Sequence, residues 1–362
     1  MTKILFTVTN DLCYDQRMDR ICTVLALEGY DVMLIGRKKK NSAELKGKTY
    51  KQKRISCFFN KGKFFYLEFN LRLFFVLLFS KFDILCSIDL DTILPGYLAS
   101  KIRSKKFVYD AHEYFTEVIE VVNRPLIKKV WTSIEAFVVP RTKYAYTVSK
   151  GLKKLFEEKY YTKFEVIRNV PLLEQQEESK KTEKHLVYIG AVNEGRGLEE
   201  LLEVMPFINS KLYIYGDGDI YEELQDKVRI KGLSDQVKFF GYTEPQKLKV
   251  LTRQAYIGVL LLGNQSLSYY YSLANKFFDY MHAGIPQVVI DFPEYKTIND
   301  EFKVAELTSL EKDSIIKAIT KLLNDESYYN RLKENCYKAR EVYNWQKESI
   351  KLLAFYKKVV NE

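Results

Sequence analysis

The feature that most constrains the fold is an alternation of short apolar runs with amphipathic helical segments, which occurs twice along the 362 residues. In the first half, we predict buried strands at residues 3–9, 31–36, 83–88, 106–110, 144–148 and 164–168. Short apolar strands separated by helices are typical of a parallel sheet that is covered on both faces. The first half therefore predicts a doubly wound α/β domain.

A stretch without any apolar residue, 174–184, interrupts this pattern, and we interpret it as an exposed linker. After it we predict strands at 186–190, 212–215, 237–241, 257–262 and 287–291. Helices are predicted at 198–205, 221–231, 245–253, 272–282 and from about 310 onwards. The chain length also favours two domains, which we place at 1–172 and 173–345. Doubly wound sheets bind ligands at the carboxyl ends of their strands, so we expect a cleft there.

The net charge and the cysteine content indicate which kinds of partner and which cellular compartment to expect. Lysine and arginine (57) exceed aspartate and glutamate (47), which gives a net charge of +10. That excess favours an anionic partner, although a lysine-rich solvated surface is the alternative. The five cysteines include no Cys-x-x-Cys pair, so neither a disulfide framework nor a zinc site is predicted. The amino-terminal segment lacks the pattern of a signal peptide, and we expect a cytoplasmic protein.

The apolar segment 64–79 is interrupted by Glu68, Asn70 and Arg72 and is short for a membrane span. Two interpretations remain open. One is a helix buried in the first domain, and the other is an amphipathic helix whose basic rim contacts anionic lipid.

Glycine motifs exclude two common nucleotide-binding classes. Neither domain has Gly-x-Gly-x-x-Gly after its first strand, so a dehydrogenase is not predicted. The segment from Gly190 through Gly195 to Gly197 lacks the Lys-Ser/Thr ending of an NTPase phosphate loop. It still joins a strand to a helix, and Arg196 adds a forked cation, so we predict that it binds phosphate.

The segment 272–286 carries the most informative polar pattern. On a predicted helix, one face presents Ser272, Asn275, Lys276 and Asp279 at i, i+3, i+4 and i+7. An ordinary amphipathic helix with a solvated side would show the same periodicity. The short and chemically mixed polar face, together with a second glycine-rich loop, favours a ligand site.

This segment resembles the donor-binding signature of family 4 glycosyltransferases of the GT-B fold, in which two glutamates separated by seven residues precede Ala-Gly-x-Pro. Asp279 stands at the second glutamate, which in that family binds the ribose hydroxyls. Gly216-Asp217-Gly218 resembles the family's Gly-x-Gly turn, and residues 237–241 resemble the strand beside the base. Residues 344–345 begin a helix, 346–362, that in such proteins packs back on the first domain.

The resemblance implies a bacterial surface-glycan type of enzyme with two Rossmann-like domains facing across a cleft. Such an enzyme moves a sugar, with retention, from a nucleoside-diphosphate sugar to a glycan or lipid-linked glycan. The sugar nucleotide is a substrate, and no cofactor, metal or nucleic acid is expected. Peripheral contact with the inner face of the cytoplasmic membrane remains an open expectation.

The resemblance also assigns roles. His112 resembles a histidine that faces the transferred sugar, although a lone histidine is more often structural. Arg196 and Lys276 are expected to stabilise the departing diphosphate during front-face attack. The expected acceptor-side candidates, some of which would alternatively form a capped turn, are Asn10, Asp11, Asp15, Arg17 and Glu113. Asp89 and Asp91 are weaker candidates.

Three positions depart from the family pattern. Ala191 replaces an arginine, Arg196 replaces a lysine, and Tyr271 replaces the first glutamate, which commonly lies near the transferred sugar. Two alternatives therefore stay open: a nucleotide-sugar 2-epimerase of similar shape, and a degenerate glycosyltransferase subunit that binds an active partner.

Overall fold

The computed structural model describes residues 1–13, 15–175 and 183–362. It divides into two compact units, Met1–Asn169 with Glu348–Glu362, and Val170–Lys347. The breaks expected from the sequence, 172/173 and 345/346, differ from these by two or three residues. The predicted linker 174–184 lies mostly outside the described residues. Its first residue, Glu174, forms ion pairs with Lys249 and Arg253 at 2.6 and 3.4 Å.

The first unit contains a parallel sheet with the order β3-β2-β1-β4-β5-β6-β7. Its strands are β1 (Lys3–Thr7), β2 (Asp31–Lys38), β3 (Lys51–Ser56), β4 (Ile84–Ile88), β5 (Lys106–Ala111), β6 (Tyr144–Thr147) and β7 (Phe164–Val166). Its helices up to the domain break are α1 (Gln16–Leu27), α2 (Gly62–Phe79), α3 (Ile93–Ile102), α4 (Ile119–Val122), α5 (Pro125–Val138) and α6 (Lys150–Tyr160). The predicted strands are confirmed, with ends shifted by a few residues.

Strand β3 is the one element of this sheet that the sequence does not predict. It lies at the edge of the sheet and pairs with β2 alone. In its sequence KQKRIS only Ile55 is buried, so there is no apolar run to recognise. Edge strands tolerate lysine because one side of the strand stays in solvent.

The second unit contains a parallel sheet with the order β10-β9-β8-β11-β12-β13. Its strands are β8 (His185–Ile189), β9 (Lys211–Tyr215), β10 (Val237–Phe239), β11 (Ile257–Leu260), β12 (Gln287–Ile290) and β13 (Ala305–Thr308). Its helices are α7 (Leu198–Val204), α8 (Tyr221–Ile230), α9 (Pro245–Gln254), α10 (Leu267–Tyr270), α11 (Asn275–His282), α12 (Pro293–Phe302), α13 (Lys312–Asn324) and α14 (Glu326–Arg340). The short edge strand β13 is likewise not predicted by the sequence.

Tyr280 of α11 ties this helix to the middle of the second sheet. Its buried hydroxyl accepts from the backbone N–H of Ile189 and lies 3.2 Å from the carbonyl oxygens of Val187 and Val259. Gly258 on β11 has no side chain, and a Cβ there would overlap the Tyr280 ring. One side chain therefore fixes α11 against both central strands, β8 and β11.

The apolar segment 64–79 forms α2. Its inner face, Phe65, Phe69, Leu73 and Leu77, is buried in the core of the first unit. This burial confirms the first interpretation of the segment. The outer face remains exposed, and the second interpretation, contact with anionic lipid, stays a prediction. Among the described residues, no helix is long and apolar enough to cross a membrane.

The last helix, α15 (Trp345–Asn361), belongs almost entirely to the first unit. The Asn344 side chain caps its start by accepting from the backbone N–H of Lys347 at 3.1 Å. Tyr356 is fully buried with its ring against Phe6, 5.9 Å between centroids. The predicted start of this helix is confirmed.

Candidate functional site

The strand order places a switch point between β8 and β11 in the second unit. Helices leaving these two strands diverge, and the crevice beyond the strand ends is where such sheets bind ligands. The loop after β8 begins at Gly190, and the loop after β11 contacts it. Gly263 donates its N–H to the Gly195 carbonyl at 2.9 Å, and Gly197, at φ +68°, packs directly on Leu261.

The predicted phosphate loop and the Gly216-Asp217-Gly218 turn are packed backbone against backbone. The N–H of Gly190 donates to Tyr215, and the N–H of Val192 donates to Asp217, at 2.9 and 3.0 Å. A Cβ on Gly216 would overlap the Gly190 carbonyl oxygen, and Gly216 has φ +154°. The Asp217 carboxylate accepts from the N–H of Gly218 at 2.8 Å. The strand-end loops of β8 and β9 thus form one rigid edge.

Two cations converge on this edge. The Lys276 ammonium lies over the Tyr188 ring, 3.6 Å from its centroid, and a Cβ at Gly190 would stand 3.5 Å from Nζ. The Arg196 guanidinium lies over the Tyr269 ring at 4.8 Å. Within the described parts of the chain, neither cation forms an ion pair, and Nε of Arg196 is buried without a hydrogen-bond partner.

Lys276 is buried, which the alternative of an ordinary solvated polar face does not predict. Burial and the nearby Arg196 lower its pKa well below the usual value, and Asp279 only partly opposes this. A buried ammonium without a close counter-ion is costly, and an arriving anion would relieve that cost.

The predicted helix 272–282 is wrong at its start. A short helix, Leu267–Tyr270, comes first, and α11 begins only at Asn275. Ser272 Oγ donates to the Tyr269 carbonyl at 2.7 Å, and the Tyr295 hydroxyl accepts from the N–H of Ala274 at 3.1 Å. These bonds hold residues 271–274 in an irregular turn.

The remaining donor-side candidates therefore divide between the turn and the helix. Tyr271 and Ser272 lie in the turn and are half-buried. Asn275 stands at the first position of α11, and Asp279 lies one turn further on. Lys276 and Asp279 remain on adjacent turns of one helix, as the spacing predicts.

In the first unit, His112 follows β5. Its ring is 37% exposed, and its Nδ1 lies 3.8 Å from the Asp89 carboxylate. Asp89 also accepts from the backbone N–H of His112 at 2.8 Å. The partial loss of solvent and the Arg17 guanidinium lower the pKa of His112 to about 3. The ring is therefore neutral at pH 7, and a neutral imidazole can donate a hydrogen bond from one nitrogen and accept one at the other.

Carboxyl groups surround this histidine. Burial and the nearby Glu113, Asp91 and Asp110 raise the pKa of Asp89, which has a left-handed backbone at φ +55°. Burial also raises the pKa of Asp91 to about 7, and Asp91 accepts from the Thr9 hydroxyl. Among the described residues, no group of three or more His, Cys, Asp or Glu side chains is arranged to hold a metal ion.

Other acceptor-side candidates support the fold of the first unit. Arg17 is buried in a two-pronged ion pair with Asp110, at 2.6 and 2.7 Å. Asp15 caps α1 by accepting from the backbone N–H of Met18 at 3.0 Å, and the Asn10 amide donates to Asp15.

Asp11 is equally engaged, because it accepts from Arg54 at 3.2 Å and from Ser42. The capped-turn interpretation therefore describes these residues well.

Sequence reasoning missed Tyr188 and Tyr269, whose rings support the two cations. A signal was present for one of them, because Tyr188 stands two residues before the strand-end glycine. Its side chain therefore lies near the carboxyl end of β8, and ligands of such sheets bind at the carboxyl ends of the strands. Tyr269 is distant in sequence from Arg196, and no local pattern links them.

Residues 170–339 match the sequence profile of the family described as Glycosyl transferases group 1. An uncharacterised glycosyltransferase of Methanocaldococcus jannaschii is 28% identical over 184 residues, which is 48% of this chain and 45% of that protein. The match thus spans about half the length of this curated relative.

Three solved structures resemble the whole chain. Sucrose-phosphate synthase of Thermosynechococcus elongatus has a TM-score of 0.84 at 15% identity and full coverage of both chains. Anabaena HepE in complex with UDP-glucose has 0.77 at 12% identity, covering 99% of this chain and 100% of that one. S. aureus TarM in complex with UDP has 0.74 at 11% identity and full coverage. At such identities the likeness shows the fold, which is GT-B.

The contact between Gly216 and Gly190 predicts that adding a single methyl group at Gly216 strongly destabilises the protein. Gly216→Ala should lower the free energy of unfolding by about 1–3 kcal/mol, because residues with a side chain rarely adopt φ +154°. Overlap with the Gly190 carbonyl should add about 1–3 kcal/mol. Urea denaturation measures both contributions together.

Gly232→Ala is the matched control, because Gly232 has φ +67° but open space around its Cα. It should show the backbone cost alone. Equal destabilisation by the two substitutions would contradict the close approach.

Proposed function

We propose that this chain, whose residues 170–339 match the profile of group 1 glycosyltransferases and whose fold is GT-B, transfers a sugar from a nucleoside-diphosphate sugar. The acceptor we propose is a glycan or a lipid-linked glycan. The observation that carries the proposal is the pair of cations, Lys276 and Arg196, on the glycine edge at the β8/β11 switch point. A diphosphate carries two negative charges, which match these two cations.

The same edge supports a mechanism. Cleavage of the bond between sugar and diphosphate leaves negative charge on the departing phosphate oxygens. Lys276 and Arg196 are held in place by aromatic rings before the reaction, so they stabilise that charge without reorganising. We propose that these cations replace a metal ion, and that transfer proceeds by front-face attack with retention.

UDP-sugars are the first donors to test, because UDP or UDP-glucose is bound in the structures of HepE and TarM. We propose that Asp279, one helical turn from Lys276, accepts hydrogen bonds from the ribose hydroxyls. The TarM structure is also a complex with α-GlcNAc-glycerol, which favours glycans among the acceptors. For His112 we keep the prediction that its neutral ring faces the transferred sugar. A cytoplasmic enzyme working beside the membrane fits these substrates.

Product analysis tests the proposal directly. The protein is incubated with a panel of nucleotide sugars, with and without glycan and lipid-linked acceptors, and nucleotide release and product mass are followed. We expect acceptor-dependent transfer, with the new linkage keeping the donor's anomeric configuration by NMR. Isomerisation without acceptor would instead identify an epimerase, and binding without turnover a degenerate subunit, in which Ala191 and Tyr271 have replaced catalytic groups.

Lys276→Met should weaken UDP-glucose binding by roughly ten- to hundredfold, because a charge-assisted hydrogen bond contributes about 1.5–3 kcal/mol. Arg196→Met should do the same. The pKa of Lys276 is lowered in the ligand-free protein, and a bound anion raises it. At a pH between these two pKa values, Lys276 therefore takes up a proton when the anion binds. Affinity should therefore fall as pH rises from the free pKa towards the bound one. Calorimetry in buffers of different ionisation enthalpy measures this uptake.

Lys312→Met is the matched control, since Lys312 also lies over an aromatic ring, at 3.9 Å from that of Phe207. It should leave affinity and proton uptake unchanged. Unchanged proton uptake in Lys276→Met would exclude Lys276 as the group that titrates.

Asp279→Asn should remove most of the preference for a ribose over a deoxyribose. The unaltered protein should bind UDP about tenfold or more tightly than 2′-deoxy-UDP, because a carboxylate loses a hydrogen-bond donor. In the variant both ligands should bind with similar, weaker affinity. Asp313→Asn, at an exposed carboxylate on α13, serves as control and should leave the preference unchanged. A preference retained in Asp279→Asn would contradict the assignment.

A further inference from the structure

The outer face of α2 is apolar and exposed. Its large side chains recur every three or four residues and therefore form one stripe along the helix, opposite the buried face. The members of this outer stripe are Phe64, Leu67, Leu71, Phe75 and Phe79, with 54, 68, 56, 52 and 86% of their surfaces exposed. Single exposed apolar residues are common, but a contiguous row of five marks a contact surface.

Two more aromatic side chains extend the outer stripe at the start of α2. Phe58 and Phe59 lie in the loop before the helix and are 84 and 51% exposed. The Phe59 ring contacts that of Phe64, with 5.4 Å between centroids. Seven large apolar side chains thus continue from the loop along the helix.

The loop is held in this position by Glu68. Its carboxylate accepts from the backbone N–H groups of both Phe58 and Phe59, at 2.9 and 3.0 Å. Arg72 donates to the same carboxylate at 2.8 Å, and its guanidinium lies 5.1 Å from the centre of the Phe58 ring. The two phenylalanines are therefore fixed on the surface by charged groups.

Charge identifies the partner. Between residues 58 and 82 the basic side chains are Lys61, Lys63, Arg72 and Lys81, and the only carboxylate is Glu68. Because Glu68 is already bound to Arg72 and two backbone groups, the surface carries a net positive charge. A second copy of the same surface would bring like charges together, whereas an anionic lipid surface is complementary.

We propose that the outer stripe, with Phe58 and Phe59, docks on an anionic membrane surface. The aromatic and leucine side chains enter the boundary between headgroups and acyl chains, and the flanking lysines contact lipid phosphates. The helix lies in the plane of the interface, because its other face belongs to the protein core. This docking is independent of sugar transfer and would hold for an inactive protein as well.

Vesicle flotation tests the docking with the full chain. At low salt, the protein should float with vesicles of phosphatidylcholine and phosphatidylglycerol. It should float less with phosphatidylcholine alone, and less with the mixed vesicles at high salt. A protein that stays in solution with the mixed vesicles at low salt overturns the proposal.

Polar substitutions distinguish membrane binding by the outer stripe from nonspecific hydrophobic adsorption of the protein. Phe58→Ser with Phe59→Ser, or Leu67→Gln with Leu71→Gln, should weaken partitioning on the order of tenfold or more, because several methylene groups no longer enter the lipid. The control is Ile230→Gln with Ile350→Gln, two exposed positions on other helices that should have no effect. Equal losses in stripe and control variants would contradict the proposal.

Charge reversal separates the electrostatic contribution of the lysines to membrane binding from the contribution of the apolar side chains. Lys61→Glu with Lys63→Glu should abolish the preference for phosphatidylglycerol, while Lys247→Glu with Lys317→Glu should preserve it. Unaltered preference in the first variant would exclude the proposed lysine contacts.

Sedimentation velocity tests whether a second copy of the protein, rather than a membrane, covers this surface. A dimer that is lost in the stripe variants, without any vesicle binding, would overturn the membrane assignment. UDP binding and thermal unfolding, measured on each variant, should stay unchanged. Loss of vesicle binding alone is thereby distinguished from failure of the proposed sugar transfer or from misfolding.

Discussion

The second unit depends on one close approach, in which the backbone of Gly216 lies against the carbonyl of Gly190. No side chain fits between the two turns, so the loops after β8 and β9 share hydrogen bonds and act as one edge. The Lys276 ammonium packs against that edge. The ammonium is only partly compensated by Asp279, and the Tyr188 ring presents its negative face to it. The chemistry proposed for the site follows from this rigidity.

Most of the fold was predictable because central parallel strands are continuous apolar runs. β4, with five buried residues in a row, is a clear case. β3 and β13 were missed for a physical reason: strands at a sheet edge need little apolar surface, so their sequences resemble loops. The start of α11 was mispredicted for another reason. The Tyr295 hydroxyl, distant in sequence, binds the N–H of Ala274, and local periodicity contains no trace of that bond.

The candidate site was predictable to a similar degree. The glycine turns and the spacing of Lys276 and Asp279 were visible in the sequence, because they repeat a pattern of residue types. Burial of Lys276 was not visible, since it depends on where β8 places Tyr188. The turn after β1 shows the converse: its polar residues, Asp11, Asp15 and Arg17, suggested ligand contacts but are engaged in caps and ion pairs within the unit.

Different residues of α11 anchor the helix and face the proposed ligand. The Tyr280 hydroxyl forms hydrogen bonds with backbone groups of β8 and β11, whereas Lys276 and Asp279 on the same helix are the residues proposed to bind the ligand. Substitutions at those two positions leave the anchor of the helix untouched. The side chains at positions 276 and 279 can therefore change while the packing of Tyr280 on Gly258 keeps the helix in place. The position of α11 and the charge that it presents beyond the strand ends thus depend on different residues of one short segment.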